Sequence, residues 1–193
     1  MSRPASAALE LLDWRRRVAD LYAAVRADPD PAHAHEAWRR TRDELFMTHP
    51  QSPGPGQLQV APYDERWRAE VALEPADVGE LRVETGTDGT VVFDRIGVLR
   101  TPWGSLDVWQ LRQYAQGWWV PVKDASPRTY GGGRYLLDTA KGADLGEHDG
   151  RLVVDLNFLY APSCAHDARW ACPLAPPGNV LELPVEAGEL VRS

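Results

Sequence analysis

The sequence predicts a mainly β protein with N-terminal helices, of the α+β class: a small antiparallel β-barrel or sandwich with a packed helix pair. Three observations lead to this prediction. Residues 1–50 carry apolar side chains at helical spacing, whereas from Trp67 onward apolar and polar residues alternate in short runs. Turn residues separate these runs at intervals of roughly ten residues, as in antiparallel sheets. Strands do not alternate with helices, which argues against a doubly wound parallel sheet.

The chain length of 193 residues fits one structural unit. Within it, we expect an N-terminal helical hairpin at residues 1–50. A β-barrel-like domain with a long C-terminal loop should follow at residues 51–193. The apolar content of 44% is sufficient for a hydrophobic core.

The first helix is predicted at residues 6–26, where an apolar stripe recurs at helical spacing. The stripe consists of Leu11, Trp14, Val18, Leu21, Tyr22 and Val25. Asp30 fits the N-cap of a second helix and Pro31 its first position, because a carboxylate accepts hydrogen bonds from free N–H groups and proline lacks one. Trp38 and Phe46 belong to the apolar side of this helix, and His49-Pro50 ends it.

Strands are predicted from the alternating runs that begin at Trp67. They cover residues 67–73, 81–85, 90–99, 106–111, 118–122, 134–137 and 152–155. Thr87-Asp88-Gly89 has the composition of a tight hairpin turn, because Asp-Gly supplies the positive φ values that such a turn needs. A bend is expected near Gly97, and the proline- and glycine-rich residues 51–62 are predicted to form a loop.

The net charge of −7 argues against binding to nucleic acid or to an anionic membrane through bulk electrostatics. The arginine-rich stretches 15–17 and 39–42 alternate with apolar positions and are predicted to be solvated helix faces. No segment approaches the roughly 20 apolar residues that a membrane-spanning helix requires. We therefore expect a cytoplasmic protein with no nucleic-acid or membrane partner.

A run of glycines between two arginines is the first candidate binding element, R-T-Y-G-G-G-R-Y at residues 128–135. Glycines such as Gly132 and Gly133 let backbone N–H groups converge on an anion. Arg128 and Arg134 could add bidentate hydrogen bonds to a carboxylate or phosphate. The alternative is a wide turn with a bulge that leads into the strand at Arg134.

Asp155 and Asn157 lie two residues apart at the end of an apolar strand, so both are expected on one face. Asp155 could serve as a general base, with Asn157 and Tyr135 orienting it. Alternatively, Asp155 and Asn157 cap the loop that follows, because such side chains readily bond local backbone N–H groups. The first interpretation predicts a catalytic group of Asp155, Arg134, Tyr135 and Asn157.

Four aromatic residues lie among these polar groups: Tyr130, Tyr135, Tyr160 and Trp170. Aromatic side chains beside a few convergent polar groups are typical of a small-molecule pocket. They are also found where a long loop folds back to fill the mouth of a barrel. In the first interpretation, the substrate-binding residues are Arg128, Tyr130, Gly132, Gly133, Tyr160 and Trp170.

The two cysteines of the chain, Cys164 and Cys172, have His166 and Asp167 between them. A metal site needs three or four ligands, so this spacing is a weak signal for zinc and we expect no metal. A disulfide is compatible with the sequence but unexpected in a reducing cytosol. The remaining alternatives are a reactive pair, a single nucleophile, for which Cys164 is favoured, and two inert, half-buried thiols.

Three long runs of the sequence resemble the DUF1684 family of bacterial proteins, which is named for a domain of unknown function. They are Y-G-G-G-R-Y-L at 130–136, D-L-N-F-L-Y-A-P-S-C at 155–164 and C-P-L-A-P-P-G-N at 172–179. The resemblance extends from about His49 to Glu189 and implies a common β-rich fold, but no established activity. It also implies a shared surface formed by Arg134, Tyr135, Asp155, Asn157, Tyr160 and Asn179.

The first functional hypothesis is a metal-independent enzyme, without a cofactor, that acts on an anionic or polar organic molecule at one mouth of the barrel. Arg134 would bind the anion and Asp155 would transfer the proton, so both must open into one solvent-accessible hollow. A second hypothesis is an FMN-type nucleotide-binding protein, by analogy with other small barrels. A third is a non-catalytic binding protein with the helix pair as its partner surface, and the sequence also leaves a homodimer open.

Overall fold

Two N-terminal helices and a curled antiparallel sheet make up the fold, which confirms the predicted α+β class. The structure, a computed structural model, describes residues 5–54, 56–85, 89–113 and 115–191. The predicted turn at residues 87–89 lies mostly outside these described ranges.

The helices are α1 at Ala5–Ala27 and α2 at Pro31–Thr48. Asp30 is the N-cap of α2, since its carboxylate accepts hydrogen bonds from the N–H groups of Ala32 and His33. Both predicted helices and the predicted cap are therefore confirmed. Their signals, apolar spacing and cap chemistry, act over a single helical turn and need no tertiary context.

The strands, numbered in chain order, are β1 Gln59–Val60, β2 Arg68–Glu74, β3 Glu80–Glu84, β4 Thr90–Thr101, β5 Gly104–Leu111, β6 Trp118–Val122, β7 Arg134–Asp138, β8 Glu147–His148, β9 Arg151–Asp155 and β10 Glu189–Leu190. Each of the seven predicted strands corresponds to one of the longer strands. The strands that the sequence did not predict, β1, β8 and β10, have two residues each, which is too short for an alternating pattern to be recognised.

The main sheet has the order β7-β6-β5-β4-β2-β9-β8, with β3 paired to β4, and all of its strand pairs are antiparallel. Its path ends at β7 on one side and at β8 on the other. The sheet is therefore a curled half-barrel.

The bend predicted near Gly97 is present in β4. The register of the β4–β5 pair shifts between Arg95 and Gly97, which is the signature of a β-bulge. A Cβ at residue 97 would lie 2.5 Å from Cδ1 of Leu73 and 2.7 Å from the carbonyl oxygen of Glu74. Glycine is required here because the neighbouring strand β2 lies too close to the bend in β4 for a side chain to fit.

The helix pair shares one hydrophobic core with the sheet. Tyr22 of α1 and Trp38 of α2 are almost completely buried, and they belong to the same cluster as Leu106 and Val108 of β5. Burying such large apolar side chains stabilises a fold by about 1.5–3 kcal/mol each. The helices therefore complete the core on one face of the curled sheet.

The C-terminal segment returns across the molecule and ends in a two-stranded sheet with the linker after α2. Val60 of β1 pairs with Glu189 of β10. Just before this pair, Gly188 has a φ of 69° and packs against the segment that follows β9. A Cβ at residue 188 would lie 2.5 Å from the carbonyl oxygen of Leu159. The close approach fixes the C-terminal segment against the main sheet.

Replacing Gly188 with alanine should destabilise the protein more than replacing Gly150 with alanine. Both glycines have positive φ, but a Cβ at residue 150 would meet nothing within 4 Å. Both substitutions introduce similar backbone strain, because both positions have positive φ. The difference between their losses of unfolding free energy therefore measures the steric overlap at residue 188, which we expect to cost about 1–3 kcal/mol. Urea unfolding of both variants measures it, and equal losses of stability would contradict the close contact.

Candidate functional site

Arg134, at the start of β7, has a completely buried side chain. Its Nη1 donates hydrogen bonds to the carbonyl oxygens of Ala187 and, at 3.0 Å, of Glu189. Its Nη2 donates to the carbonyl oxygen of Val185 and to Oδ2 of Asp124, both at 3.0 Å. All four Nη hydrogens are thus bonded, three to the C-terminal segment and one to Asp124.

Asp155, at the end of β9, is also completely buried. Its Oδ1 accepts hydrogen bonds from the backbone N–H of Asn157 at 3.0 Å and from Nδ2 of Asn157 at 2.8 Å. Asn157 in turn binds both backbone polar groups of Asp64. These contacts are the loop-capping arrangement that the sequence left as an alternative. Oδ2 of Asp155 lies 3.8 Å from Nη1 of Arg68.

The carboxyl of Asp155 is held in an unfavourable environment for its charge. Burial raises the pKa of Asp155 to about 6, while Asn157, Arg68 and Tyr63 act in the opposite direction. Among the described residues, its Oδ2 has no hydrogen-bond partner. A capping role needs only Oδ1, and the acid–base role of Asp155 stays a prediction.

The expected open hollow between Arg134 and Asp155 is not present. Both side chains are fully buried, and Arg134 is bonded to backbone carbonyls. The predicted bulged turn is what precedes β7: Gly133 has a φ of 93° and donates its N–H to the carbonyl oxygen of Tyr130. The expectation of a solvent-accessible hollow was wrong because the N–H groups of Arg134 donate to carbonyl oxygens of a loop that is distant in sequence. Local residue spacing cannot reveal such contacts.

The other predicted site residues do not form one cluster. The Tyr135 hydroxyl donates to the carbonyl oxygen of Pro173 at 2.5 Å, and Trp170 Nε1 lies 3.4 Å from the carbonyl oxygen of Pro53. Arg128 is exposed and pairs with an acidic side chain of the C-terminal segment. These three side chains therefore anchor or border the C-terminal loop.

The glycine run is used for packing rather than held open. The carbonyl oxygen of Gly132 accepts a hydrogen bond from the N–H of Ala175 at 3.1 Å. A Cβ at Gly133 would lie 2.7 Å from Cβ of Ala175, and one at Gly132 would lie 2.6 Å from the ring of Tyr130. The run lets the C-terminal loop lie directly on the turn before β7. Asn179, which the resemblance placed on a shared surface, is buried as well.

A pocket of about 340 Å³ lies beside β10, and we call it the C-terminal pocket. Of the predicted binding residues, Tyr130 lines it. The complete lining consists of Leu58, Gln59, Tyr130, Ala161, Ala165, His166, Glu189, Leu190 and Val191. Sites for small organic molecules have volumes of about 300–1,000 Å³ and combine apolar walls with a few polar groups. This pocket has both properties.

Glu189 and His166 form the polar end of the C-terminal pocket, and Arg42 of α2 binds Glu189 from outside the pocket lining. Oε2 of Glu189 accepts a hydrogen bond from Nη2 of Arg42 at 2.9 Å and one from the N–H of Ala161 at 3.2 Å. Its Oε1 lies 3.0 Å from Nε2 of His166. The carboxylate, itself almost fully buried, therefore lies next to the histidine ring at the pocket.

The charge of Glu189 is stabilised in the interior. Burial alone would raise the pKa of Glu189, but His166 and Arg42 bring it below its ordinary value, so the group is ionised at neutral pH. Arg42 lies over the rings of Trp38 at 5.1 Å and Tyr160 at 4.9 Å. These cation–π contacts compensate for the water that the guanidinium loses on burial.

The sequence did not predict the group of Arg42, Glu189 and His166, although Arg42 gave one signal. Arg42 was predicted to be solvated, but it is only 7% exposed. It lies four residues after Trp38 and four before Phe46, that is, on the apolar side of α2. A charged residue on an apolar stripe must find a partner in the core. Glu189 gave no such signal, because its partner is separated from it by most of the chain.

Metal ligands are not gathered anywhere in the part of the chain that the structure describes: no three His, Cys, Asp or Glu side chains are close enough to hold an ion. Within the same ranges, neither helix has an apolar stretch of the length that crosses a bilayer.

Replacing Arg42 with methionine should destabilise the protein strongly. The change leaves the buried Glu189 carboxylate without its main charge partner, which typically costs about 3–5 kcal/mol. Arg39→Met is the matched control, because Arg39 lies one turn earlier on α2 and pairs with Glu36 in an exposed position. We expect urea unfolding to show a large loss for Arg42→Met and almost none for Arg39→Met. Similar effects of the two changes would contradict the buried pair.

Replacing Asp155 with asparagine should change the pH dependence of stability. The pKa in the folded state is raised to about 6 from an ordinary 3.8, so the folded protein favours the protonated carboxyl. The unfolding free energy of the wild type relative to Asp155→Asn should therefore fall as the pH rises from about 4 to about 6, by on the order of 3 kcal/mol. Above about pH 6 the difference should stay constant at this lower value.

Asp94→Asn is the control for this titration. Arg112 lowers the pKa of Asp94 on the surface, so the relative pH dependence should have the opposite sign. The titration of Asp94 lies below its ordinary pKa of 3.8, so unfolding free energies between about pH 2 and pH 8 measure both effects. A constant difference between wild type and Asp155→Asn over this range would show that the carboxyl is not destabilised in the folded state.

Comparison with known proteins places the chain in a family. No curated protein matches it. Among solved structures, it is similar to the solution NMR structure of the uncharacterized protein from gene locus rrnAC0354 of Haloarcula marismortui, with 29% sequence identity and a TM-score of 0.55. That match covers 81% of this chain and 91% of the other. The family model "Protein of unknown function (DUF1684)" matches residues 56–190, and the chain therefore belongs to the DUF1684 family.

Proposed function

We propose that the protein binds a small polar organic molecule in the C-terminal pocket and acts on it as a metal-independent enzyme. One observation carries the proposal: a cavity of about 340 Å³ where the side chains of Tyr130, His166 and Glu189 meet. A buried carboxylate that holds a histidine at a pocket is an arrangement that enzymes use, and it is costly to maintain for stability alone.

The charges around the pocket favour a neutral or weakly charged polar ligand. Glu189 is ionised, but Arg42 and the N–H of Ala161 occupy its Oε2. Arg134, which the sequence hypothesis assigned to anion binding, has its Nη hydrogens bonded to carbonyl oxygens and to Asp124. The FMN alternative loses its phosphate-binding arginine for the same reason. Hydrogen-bonding groups, rather than a full negative charge, suit the lining.

His166 is the group we assign to proton transfer. Its Nε2 faces Oε1 of Glu189 at 3.0 Å, which leaves Nδ1 as the ring nitrogen that a ligand can reach. A carboxylate beside one ring nitrogen favours the tautomer that carries a proton on that nitrogen, which leaves the other nitrogen as an acceptor. The ring of Phe46 lies against the imidazole at 4.9 Å and holds its plane.

A thermal-shift screen of polar metabolites tests the proposal. We expect some compounds to raise the melting temperature of the wild type and not that of Ala165→Phe, whose new ring would fill the pocket. Ala24→Phe adds the same ring on the exposed side of α1 and should respond like the wild type. For each compound found, His166→Ala should raise the dissociation constant about tenfold, because the ligand loses its hydrogen bond to the imidazole.

Two results of this screen would contradict the proposal. If every stabilising compound acts equally on wild type and Ala165→Phe, the ligand binds elsewhere. If binding is blocked by Ala165→Phe but is unchanged in His166→Ala, the pocket is a binding site and His166 does not contact the ligand.

A further inference from the structure

One wall of the C-terminal pocket is a face of the small sheet formed by β1 and β10. Glu189 and Val191 are two residues apart in extended chain, so their side chains point to the same side of this sheet. The register pairs Gln59 with Leu190, and its continuation by one residue places Leu58 opposite Val191. Leu58, Glu189 and Val191 all line the pocket. A carboxylate and two aliphatic side chains therefore share the face on which a ligand would lie.

The polar groups of this pocket lie deep in the protein, and its aliphatic groups lie toward solvent. Glu189 is 2% exposed and the side chain of His166 is 12% exposed, whereas Val191 is 40% exposed. Leu58 and Leu190 are partly exposed. The usual order in proteins is the reverse, with aliphatic groups inside and ionised groups in water. A molecule with a polar head and an aliphatic tail matches this pocket when its head enters first.

The length of the face sets the length of the tail. Two residues along a strand rise about 7 Å, a distance that an extended chain of about six carbons covers. A chain of this length reaches from the carboxylate of Glu189 to the side chain of Val191, and the cavity of about 340 Å³ has room for it. A ligand without such a chain would leave the aliphatic part of the pocket unfilled.

The polar end of the pocket offers hydrogen-bond acceptors rather than donors. The backbone N–H groups of several lining residues already donate within the protein: those of Leu58, Ala161, Ala165, His166, Glu189 and Val191. These N–H groups are therefore not available to a carbonyl oxygen or an anion. An imidazole that carries its proton on Nε2, beside Glu189, presents Nδ1 as an acceptor. A head group that donates a hydrogen bond suits this end better than an ester or a ketone.

The charges at the polar end favour a neutral head group. Nη2 of Arg42 lies 2.9 Å from Oε2 of Glu189, so the two side chains compensate each other. A carboxylate head would lie against the ionised Glu189, and an ammonium head would lie near Arg42. Either contact between like charges is unfavourable in a buried site. Among neutral donors, a hydroxyl is small and carries no carbonyl oxygen that would need a donor of its own.

We propose that the ligand of the C-terminal pocket is an aliphatic alcohol that enters hydroxyl first: the hydroxyl donates to Nδ1 of His166, and the chain lies over Leu58 and Val191 toward the mouth. This inference rests on the proposed function, because it concerns the same pocket. It adds the chemical class of the ligand and the orientation in which the ligand binds.

A matched series of probes tests the head group: 1-hexanol, hexanoate, hexylamine and the methyl ether of hexanol. In calorimetric titrations, we expect 1-hexanol to have a dissociation constant about tenfold lower than the other three, because two are charged and the ether has no donor. Ala165→Phe should abolish the binding of 1-hexanol. In His166→Ala, which lacks the acceptor, 1-hexanol should lose its advantage over the ether.

A change at the mouth of the pocket tests the orientation. In the wild type, the two additional methylenes of 1-hexanol over 1-butanol should lower the dissociation constant about tenfold. In Val191→Ser this ratio should fall to about threefold, while 1-butanol binds as before, because its shorter chain does not reach residue 191. Val180→Ser is the matched control: Val180 is 42% exposed, close to the 40% of Val191, and does not line the pocket. It should keep the wild-type ratio.

The results that overturn this inference differ from those that overturn the proposed function. Hexanoate, hexylamine or the ether bound as tightly as 1-hexanol would reject the hydroxyl head. An unchanged ratio in Val191→Ser would reject the hydroxyl-first orientation. If 1-hexanol does not bind while metabolites from the thermal-shift screen are blocked by Ala165→Phe, the alcohol is wrong and the proposed function stands. If Ala165→Phe blocks neither a probe nor a screened metabolite, both are wrong.

Discussion

The guanidinium of Arg134 is the interaction on which the C-terminal part of the molecule depends. It lies at the start of β7, inside the protein, and it gathers the carbonyl oxygens of Val185, Ala187 and Glu189 together with the carboxylate of Asp124. Carbonyl groups buried without a donor would cost about 1–3 kcal/mol each. One side chain therefore replaces the strand partner that this irregular segment lacks.

The position of the pocket follows from the hydrogen bonds between Arg134 and the C-terminal segment. Arg134 holds the backbone of Glu189, and the side chain of Glu189 is then directed toward Arg42 on α2 and His166 in the preceding loop. A single residue thus connects the sheet, the helix pair and the C-terminal loop. The cavity lies beside Glu189, between the linker after α2, the turn before β7 and the C-terminal loop. The same buried charged groups therefore stabilise the C-terminal segment and line or adjoin the pocket.

Much of the fold could be predicted, and little of the site. Helix limits, the Asp30 cap and the long strands depend on periodicity and local hydrogen bonding, which a sequence displays directly. Arg134 was recognised as important, but its role was not, because its acceptors are about fifty residues away in the chain. Arg42 could have been identified from its place on an apolar stripe. Glu189 and His166 acquire meaning only when the chain is folded.

Native-state hydrogen exchange tests most directly whether the C-terminal segment is an integral part of the fold. The N–H of Glu189 bonds to the carbonyl oxygen of Leu159, and that of Val185 bonds to Asp124, so both should be protected. We predict that they exchange only through global unfolding, with the same free energy and denaturant dependence as the N–H of Val108 in β5. Exchange of Glu189 at a much lower free energy, independent of denaturant, would show that the segment opens locally and would contradict the account.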